Sequence, residues 1–162
     1  MAVADYFLKI DGIEGESADS KHKGEIQLES FSFGGTQTGS SGYGGGGGAG
    51  KVQLQDFHFT KKVDKGSAKL FLSCCNGAHI KSATLVARKA GKDQQEFLKI
   101  VLSDVLVSSF QSGGSGGSDV IPMDQVSLNF GKVEMEYKEQ KADGSLGGAV
   151  KSGWDLKANK AV

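Results

Sequence analysis

The chain has 162 residues, enough to bury one hydrophobic core, and we interpret residues 1–162 as a single domain. Lysine and arginine together number 19, and so do aspartate and glutamate, so the formal net charge is zero. A neutral chain lacks the positive surface that nucleic-acid binding requires, and no run of about 18 apolar residues is present to enter a membrane.

The amino-terminal residues predict a strand and no export signal. Residues 1–12, MAVADYFLKIDG, contain no basic segment followed by a long apolar segment. We therefore expect no cleavable secretion signal at this end. Any export of the chain would use a route that needs no such signal.

Alternation of apolar and polar residues predicts that most of the chain is β-strand. The candidate strands run near residues 5–10, 25–33, 51–60, 80–89, 96–110, 125–138 and 149–157. Glycine-containing turns lie between several of them. A series of strands at this spacing is typical of a sandwich or a barrel.

In three of these strands the apolar residues change parity part of the way along. The changes lie between Leu28 and Phe31, between Leu54 and Phe57, and between Phe130 and Val133. Each second half would face solvent unless a bulge or bend turned it back. Together the three changes favour strands bent around a barrel. Two short strands joined by a kink are the alternative for each single case.

Residues 34–50 form a long glycine-rich segment, GGTQTGSSGYGGGGGAG. Residues 45–51, from Gly45 to Lys51, match the first part of the phosphate-binding pattern G-x-x-x-x-G-K-[ST]. The next residue is Val52, which has no hydroxyl for Mg²⁺, and a strand pattern follows it where the motif requires a helix. We therefore interpret the segment as an extended loop that contacts another molecule. A small-ligand or nucleotide site at residues 45–51 is the alternative.

One segment, residues 65–75, predicts an α-helix. Its apolar stripe comprises Ala68, Phe71, Leu72 and Cys75. We expect this stripe to pack the helix onto the barrel. Asp64 or Ser67 can cap the start of the helix, and Gly77 suits the left-handed position that ends it.

The two cysteines, Cys74 and Cys75, are adjacent in the sequence. This spacing argues against a disulfide framework and favours a reducing compartment. No histidine or other base is placed beside them by the sequence, so we interpret neither as a nucleophile. Cys75, which lies on the predicted stripe, is interpreted as a core residue.

The strand predicted at residues 96–110 is apolar on both faces. One parity carries Leu98, Ile100, Leu102 and Leu106, and the other carries Val101, Val105 and Val107. One face can line the core of the domain, and the other needs a second layer. That layer is either the helix or a neighbouring subunit. A closed ring of copies is the usual way to cover a one-sided patch.

Motifs for catalysis and for metal binding are not found. His22, His58 and His79 stand in unrelated contexts, without a second ligand at metal spacing. Glu134 and Glu136 lie two residues apart, on what we interpret as a solvated strand face. We therefore predict that the protein is not an enzyme and that it needs no cofactor or metal.

A series of short segments distributed along the whole chain points to one family. They are YFLKI at 6–10, GES at 15–17, GGGGGAGKV at 44–52, RKAG at 88–91, VLVSS at 105–109, GGSGG at 113–117, QKADG at 140–144 and GW at 153–154. In this order and spacing the chain resembles the haemolysin-coregulated proteins (Hcp), the tube subunits of bacterial type VI secretion systems.

The resemblance implies a mainly β fold, namely a compact β-barrel of two sheets with one flanking α-helix and a long Gly-rich extended loop. It implies that six copies assemble as a hexameric ring with a wide channel, and that the rings stack into a tube. The implied partners are other copies of the chain, the VgrG spike protein, the contractile sheath and secreted effectors held in the channel. It also implies export from the bacterial cytoplasm to the extracellular space or a target cell, without a cleavable signal peptide.

The resemblance also implies roles for particular residues. The loop residues expected to reach a neighbouring subunit or the next ring are Gln37, Tyr43, Gly44, Gly45, Gly46, Gly47, Gly48 and Lys51. If Ile26, Leu28, Phe31 and Phe33 all face the core, then Gln27 and Ser32 face away from it. The family places a small polar residue on the channel wall at the position of Ser32, so Gln27 and Ser32 are expected to line the channel. Small hydroxyl groups there would let cargo slide, because they offer little apolar surface to bury.

Overall fold

The structure is a computed structural model of the chain, and it describes residues 4–37, 51–89, 94–117 and 120–162. Its elements in chain order are β1 (Ala4–Ile10), β2 (Ile26–Leu28), β3 (Ser30–Ser32), β4 (Gly35–Thr36), β5 (Gln53–Leu54), β6 (Phe57–Lys62), α1 (Ser67–Asn76), β7 (Ile80–Lys89), β8 (Glu96–Gly113), β9 (Met123–Gln140), β10 (Leu146–Asp155) and β11 (Lys160–Ala161). Each predicted strand is present, two of them divided into shorter pieces.

The strands form an antiparallel sheet that curls into a closed barrel. β2 pairs with β1, β1 with β7, β7 with β8, β8 with β9, and β9 with β6. β6 also pairs with β3, which follows β2 after the single residue Glu29. The Glu29 N–H donates to the carbonyl of Thr60 at 2.9 Å and so closes the circuit. The predicted β-barrel is confirmed.

Two further features complete the sheet. β10 pairs with the second half of β9, and β11 pairs with the end of β10. β4, at the start of the glycine-rich segment, and β5, just after its end, form a separate two-stranded ladder. In the described part of the chain no helix is long and apolar enough to cross a lipid bilayer.

Two of the three predicted parity changes are breaks between short strands. Glu29 separates β2 from β3, while Gln55 and Asp56 separate β5 from β6. The apolar residues on both sides of each break are buried or pack against the core. The interpretation as short strands joined by a kink is therefore right in these two cases.

The third change occurs within a continuous strand, β9. Phe130 and Val133 are both buried although they have opposite parity, and Gly131 lies between them. A Cβ atom at position 131 would lie 3.2 Å from the Cβ of Asp104, the residue that faces it on β8. The missing side chain of Gly131 therefore lets β8 and β9 approach closely at this point. Here both strands change the parity of their inward residues.

β8 changes its inward face at Asp104, whose φ angle is 54°. Leu102 before this residue and Val105 after it are both buried on the inside of the barrel. The apolar pattern on both parities of β8 is thus explained largely by this change, and the barrel's own core covers most of it. Leu106 stays exposed on the outside.

The helix α1 packs through a stripe other than the predicted one. Leu70 is fully buried, and Cys74 is half-buried against the core. Ala68, Phe71, Leu72 and Cys75 are exposed, so the predicted stripe and the interpretation of Cys75 as a core residue are wrong. Phe71 still contacts the ring of Phe110 on β8, with 5.8 Å between the ring centroids.

The reason for this difference is the anchoring of the first helical residue. The Ser67 hydroxyl donates to Asp124 Oδ2 at 2.6 Å and accepts from Lys61 Nζ at 2.9 Å, and both of these residues are buried. These bonds fix the rotation of the helix, so that Leu70, three residues on, also points inward. At the other end Gly77 has φ 62° and its N–H donates to the Ser73 carbonyl, as predicted.

Residues between β1 and β2 cover the outer face of β1. The His22 ring stacks on Phe7 at 4.4 Å, and the Arg88 guanidinium lies 4.7 Å from the centroid of the same ring. Arg88 Nη1 donates to Asp19 Oδ1 at 3.0 Å. Hydrogen bonding by Arg88 lowers the pKa of Asp19 to about 2. This ion pair therefore attaches the covering segment to β7.

Candidate assembly surface

One half of the barrel wall has an outer face that is almost entirely neutral and polar. It is built from β3, β6, the first half of β9 and the second half of β8, in that order. We call its eight outward side chains the polar face: Ser30, Ser32, His58, Thr60, Ser109, Gln111, Gln125 and Ser127. The alternate residues of the same strands point to the core, which is why apolar and polar positions alternate in the sequence.

The strand register arranges the polar face in two rows. One row runs from Ser32 through His58 and Ser127 to Ser109, and the other from Ser30 through Thr60 and Gln125 to Gln111. Adjacent members are bonded: His58 Nδ1 lies 2.6 Å from Ser127 Oγ, and the hydroxyls of Ser30 and Thr60 are 2.6 Å apart. The face is therefore a regular array of hydroxyl, amide and imidazole groups.

Charged groups lie at the two ends of the polar face. At one end Asp56 accepts hydrogen bonds from Asn129 Nδ2 at 3.0 Å and from Ser108 Oγ at 2.5 Å. At the other end Lys62 Nζ lies 3.8 Å from Glu29 Oε1. These charged groups lie beside the two rows and do not interrupt them.

Both side edges of this four-stranded sheet are open in the described residues. β3 pairs with β6 on one side, and its other side has no strand partner there. On β8 the pairing with β7 ends at Val105, so residues 106–113 pair with β9 alone. Phe71 and Leu72 of α1, 56 % and 59 % exposed, belong to the helix that packs on this part of β8. An open edge beside exposed apolar groups is a typical surface for pairing with another chain.

The other half of the barrel wall has a charged outer face. Lys99, Glu136 and Lys151 form a cross-strand row on β8, β9 and β10, and Lys151 Nζ lies 3.8 Å from Glu136 Oε2. Glu134 pairs with Lys132 at 3.8 Å. Glu134 and Glu136 thus lie on a solvated face, as predicted. Exposed pairs of this kind contribute little to stability.

A buried ion pair lies directly beneath the polar face. Lys61 and Asp124 are fully buried on the inner side of β6 and β9, with Lys61 Nζ 2.8 Å from Asp124 Oδ2 and 2.8 Å from Asp64 Oδ1. Burial raises the pKa of Asp124, but hydrogen bonds from Lys61 and Ser67 outweigh it, so the pKa is lowered. The pair connects the sheet to the start of the helix. Sequence reasoning missed it, although both residues have the inward parity of their strands.

The predicted site residues are found at different places. Ser32 is exposed on the polar face, while Gln27 is exposed on β2 in a separate concavity beside Glu29 and Lys62. Gln37, near the start of the glycine-rich segment, and Lys51, directly after its end, are both exposed. Tyr43, Gly44, Gly45, Gly46, Gly47 and Gly48 lie outside the described residues. The roles of the loop residues in subunit contacts, and those of Gln27 and Ser32 in a channel, stay predictions.

Two chemical possibilities can be compared with this geometry. The residues after Lys51 form the strand β5, so no helix amino terminus follows the glycine-rich segment to bind a phosphate. Within the described ranges, no group of three or more His, Cys, Asp or Glu side chains is arranged to hold a metal ion.

A closed β-barrel with one helix and an open-edged polar sheet places the chain among the small, mainly β proteins. The comparisons with known proteins identify the family within this class. The family model described as "Type VI secretion system effector, Hcp" matches residues 7–137. The protein hcp1 of Pseudomonas aeruginosa is 49% identical over 161 residues, which cover 98% of each chain. The chain therefore belongs to the Hcp family of type VI secretion system proteins.

Solved structures agree with this assignment. Hcp1 from Salmonella typhimurium is 36% identical and superposes with a TM-score of 0.81 over 100% of both chains. A structure described as a type six secretion system protein is 28% identical, with a TM-score of 0.93 over 99% of this chain and 100% of the other. The predicted family is confirmed, and the alternative small-ligand or nucleotide site is not supported. Hcp proteins are structural and secreted components of the type VI system.

Proposed function

We propose that this chain is the subunit of the type VI inner tube, with six copies forming a ring and rings stacking into a tube. Membership of the Hcp family supports this, and the observation that carries it is the four-stranded sheet with two open edges. In a ring, the open edge of β3 in one copy meets residues 106–113 of β8 in the next. Repeating that contact joins the sheets into a continuous wall.

In this arrangement the polar face lines the channel. The face carries Ser32, which the sequence also indicated, and its hydroxyl and amide groups present little apolar surface to a passing protein. Gln27 belongs to the neighbouring concavity with Glu29 and Lys62, at one end of the wall. The channel shelters secreted effectors before delivery.

The glycine-rich extended loop makes the contacts between copies. Gln37 lies near its start and Lys51 directly after its end, and both side chains are exposed. The pairing of β4 with β5 brings the two ends of the loop together. Residues 43–48 reach the adjacent subunit or the next ring. Residues 1–162 act as one folded unit in this assembly.

The partners outside the ring follow from the same role. The VgrG spike caps the tube, and the contractile sheath surrounds it and drives it outward. The protein is made in the bacterial cytoplasm and is exported with the tube. The charged outer face of β8, β9 and β10 is suited to the sheath, because it lies on the half of the barrel opposite the polar face.

The mass of the particle in solution tests this proposal. We expect light scattering to give a hexamer and negative-stain images to show annular particles. Replacing Phe71 and Leu72 by glutamate is expected to give single subunits, because charge at an apolar contact must be desolvated. Val150→Glu, on an exposed residue of β10, adds charge away from the open edges and should leave the ring intact. Single subunits of the unchanged protein at high concentration would refute the proposal.

A further inference from the structure

We propose that His58 determines which cargo the channel wall retains, and that in its protonated form it favours acidic polypeptide segments. This inference rests on the proposed function, because it assigns the polar face to a channel that holds protein cargo. It adds the chemistry of the cargo and the residue that selects it.

The polar face has one side chain that can carry charge. Its other seven members bear hydroxyl or amide groups, which stay neutral at every physiological pH. Histidine is the side chain that gains a proton as the pH falls through the range of about 8 to 5. Any pH-dependent attraction of this face for charged cargo therefore originates at His58.

The position of His58 suits contact with cargo. It is exposed, and in the register it faces Ser32 on one side and Ser127 on the other. Its Nδ1 atom is 2.6 Å from the Ser127 hydroxyl, which can donate to a neutral ring and accept from a protonated one. Within the described residues Nε2 makes no hydrogen bond, so it is available to donate to a carboxylate on the cargo.

The surroundings of His58 do not neutralise it by a direct ion pair. On β6 itself Asp56 has the same outward parity, but its carboxylate is bonded to Asn129 and Ser108. Lys62 and Glu29 lie together at the far end of the face. The parts of β3, β8 and β9 that build the polar face contribute only neutral side chains to it, because Asp124 points inward to Lys61.

The repeated arrangement increases the effect. Each subunit contributes one His58, so a ring carries a belt of identical imidazoles at the level of Ser32. Protonation changes the wall from neutral to positive at this level. A carboxylate-rich segment then gains charge-assisted hydrogen bonds that a neutral segment does not gain.

The test is binding of a fluorescent oligo-aspartate peptide, with an oligo-asparagine peptide as the neutral control, measured by anisotropy at about pH 5.5 and about pH 8. We expect the unchanged protein to bind oligo-aspartate at least about fivefold more tightly at the lower pH, the effect of an exposed ion pair of good geometry. His58→Gln should remove this difference, and His58→Arg should bind the peptide tightly at both pH values. His79→Gln is the matched control, because His79 is also exposed but bonds to Asp104 outside the polar face, and it should behave like the unchanged protein.

Light scattering of each sample separates the two proposals. If rings form and His58→Gln keeps the full pH dependence, the inference is wrong while the proposed function stands. A pH dependence that disappears in His79→Gln, or that is absent from the unchanged protein, also overturns it. If single subunits are found, the proposed ring fails, and the His58→Gln comparison still decides whether this residue selects acidic peptides.

Discussion

Lys61 occupies an inward position of β6, where the alternation of the strand would otherwise place an apolar side chain. Its neighbours of the same parity, Phe57 and Phe59, are fully buried. The ammonium group is compatible with this position because Asp124, Asp64 and Ser67 surround it with acceptors. Buried charges are tolerated when they are paired and hydrogen-bonded in this way.

Removing one partner of this pair is expected to be costly. Lys61→Met leaves two carboxylates without their cation in the interior, and we expect it to reduce the free energy of unfolding by about 3–5 kcal/mol. Urea denaturation followed by the fluorescence of Trp154 measures the change, because Trp154 is the single tryptophan and packs against the core.

The neighbouring lysine provides the control for this measurement. Lys62 is exposed and approaches Glu29 at 3.8 Å, so Lys62→Met should cost less than about 1 kcal/mol. Equal losses in the free energy of unfolding for Lys61→Met and Lys62→Met would show that the buried ion pair does not stabilise the fold as proposed. Replacing Lys61 and Asp124 together by apolar residues should recover part of the loss.

Single positions differ in how well the sequence predicts them. Parity alone indicated that Ser32 faces away from the core, and the same rule applied to Lys61 would have placed it inside. The row formed by Ser32, His58 and Ser127 was not predictable, because it depends on which strands pair and in which register. Registers between strands distant in sequence are set by the whole barrel, and a single strand contains no signal for them.

At the scale of the elements, the helix shows how a local pattern can mislead. Two stripes at helical spacing were present in residues 65–76, and the more apolar one was interpreted as the packed face. The structure uses the stripe that includes Ser67, Leu70 and Cys74, because hydrogen bonds at Ser67 fix the rotation of the helix. Hydrophobicity along one helix cannot reveal a polar anchor that another strand supplies.

Two leucines on this helix provide a direct test. Leu70 is fully buried, so Leu70→Ala should reduce the free energy of unfolding by about 2–5 kcal/mol through the lost contacts and the cavity. Leu72 is 59 % exposed, so Leu72→Ala should change it by no more than about 0.5 kcal/mol. Chemical denaturation of single subunits at low concentration measures both. A larger loss for Leu72→Ala than for Leu70→Ala would show instead that the stripe predicted from the sequence packs against the core.

The strands were predicted more accurately than the helix packing. Long alternating segments gave β7, β8 and β9 nearly at their observed ends, because a strand with one buried face has a strong period of two. The parity change at Asp104 was interpreted as apolar character on both faces of β8. A bend that keeps the strand continuous looks, in sequence, the same as a strand buried on both sides.

At the scale of the whole molecule, acidic side chains make stability depend on pH. Hydrogen bonds from His79 and the charge of Lys157 lower the pKa of Asp104, and Ser145 lowers that of Asp143. Asp19 and Asp124 are lowered as described above. When a carboxyl group has a lower pKa in the folded than in the unfolded state, the unfolded state binds more protons in acid. Stability is therefore present above the unfolded pKa and is lost as the pH falls through the folded value.

For the Asp19–Arg88 pair, the pH range over which stability is lost can be stated. The pKa of Asp19 is about 2, compared with 3.8 for the free side chain, so its contribution should be full above about pH 5, mostly lost at pH 2 and absent only below that. Asp19→Asn should unfold at lower denaturant concentration than the unchanged protein at neutral pH, and the difference should shrink to a small remainder near pH 2. Denaturation midpoints measured across this range provide the test.

Asp11→Asn serves as the reference in the same series, because the exposed Asp11 side chain has no hydrogen-bond partner in the described residues. It should follow the unchanged protein at every pH. A constant difference between Asp19→Asn and the unchanged protein down to pH 2 would contradict the role assigned to the ion pair.

β8 changes its inward face at Asp104, and β9 does so at the facing Gly131. This change divides each of the two longest strands into segments that belong to different surfaces. On β9, Gln125 and Ser127 lie before it, and Glu134 and Glu136 lie after it. One continuous backbone thus displays the uncharged polar face on one half and a charged outer face on the other. Exchanging outward residues of β9 on one side of position 131 would therefore alter one surface and leave the other unchanged. Inserting a single residue at position 131 would instead reverse the inward and outward faces of the rest of the strand.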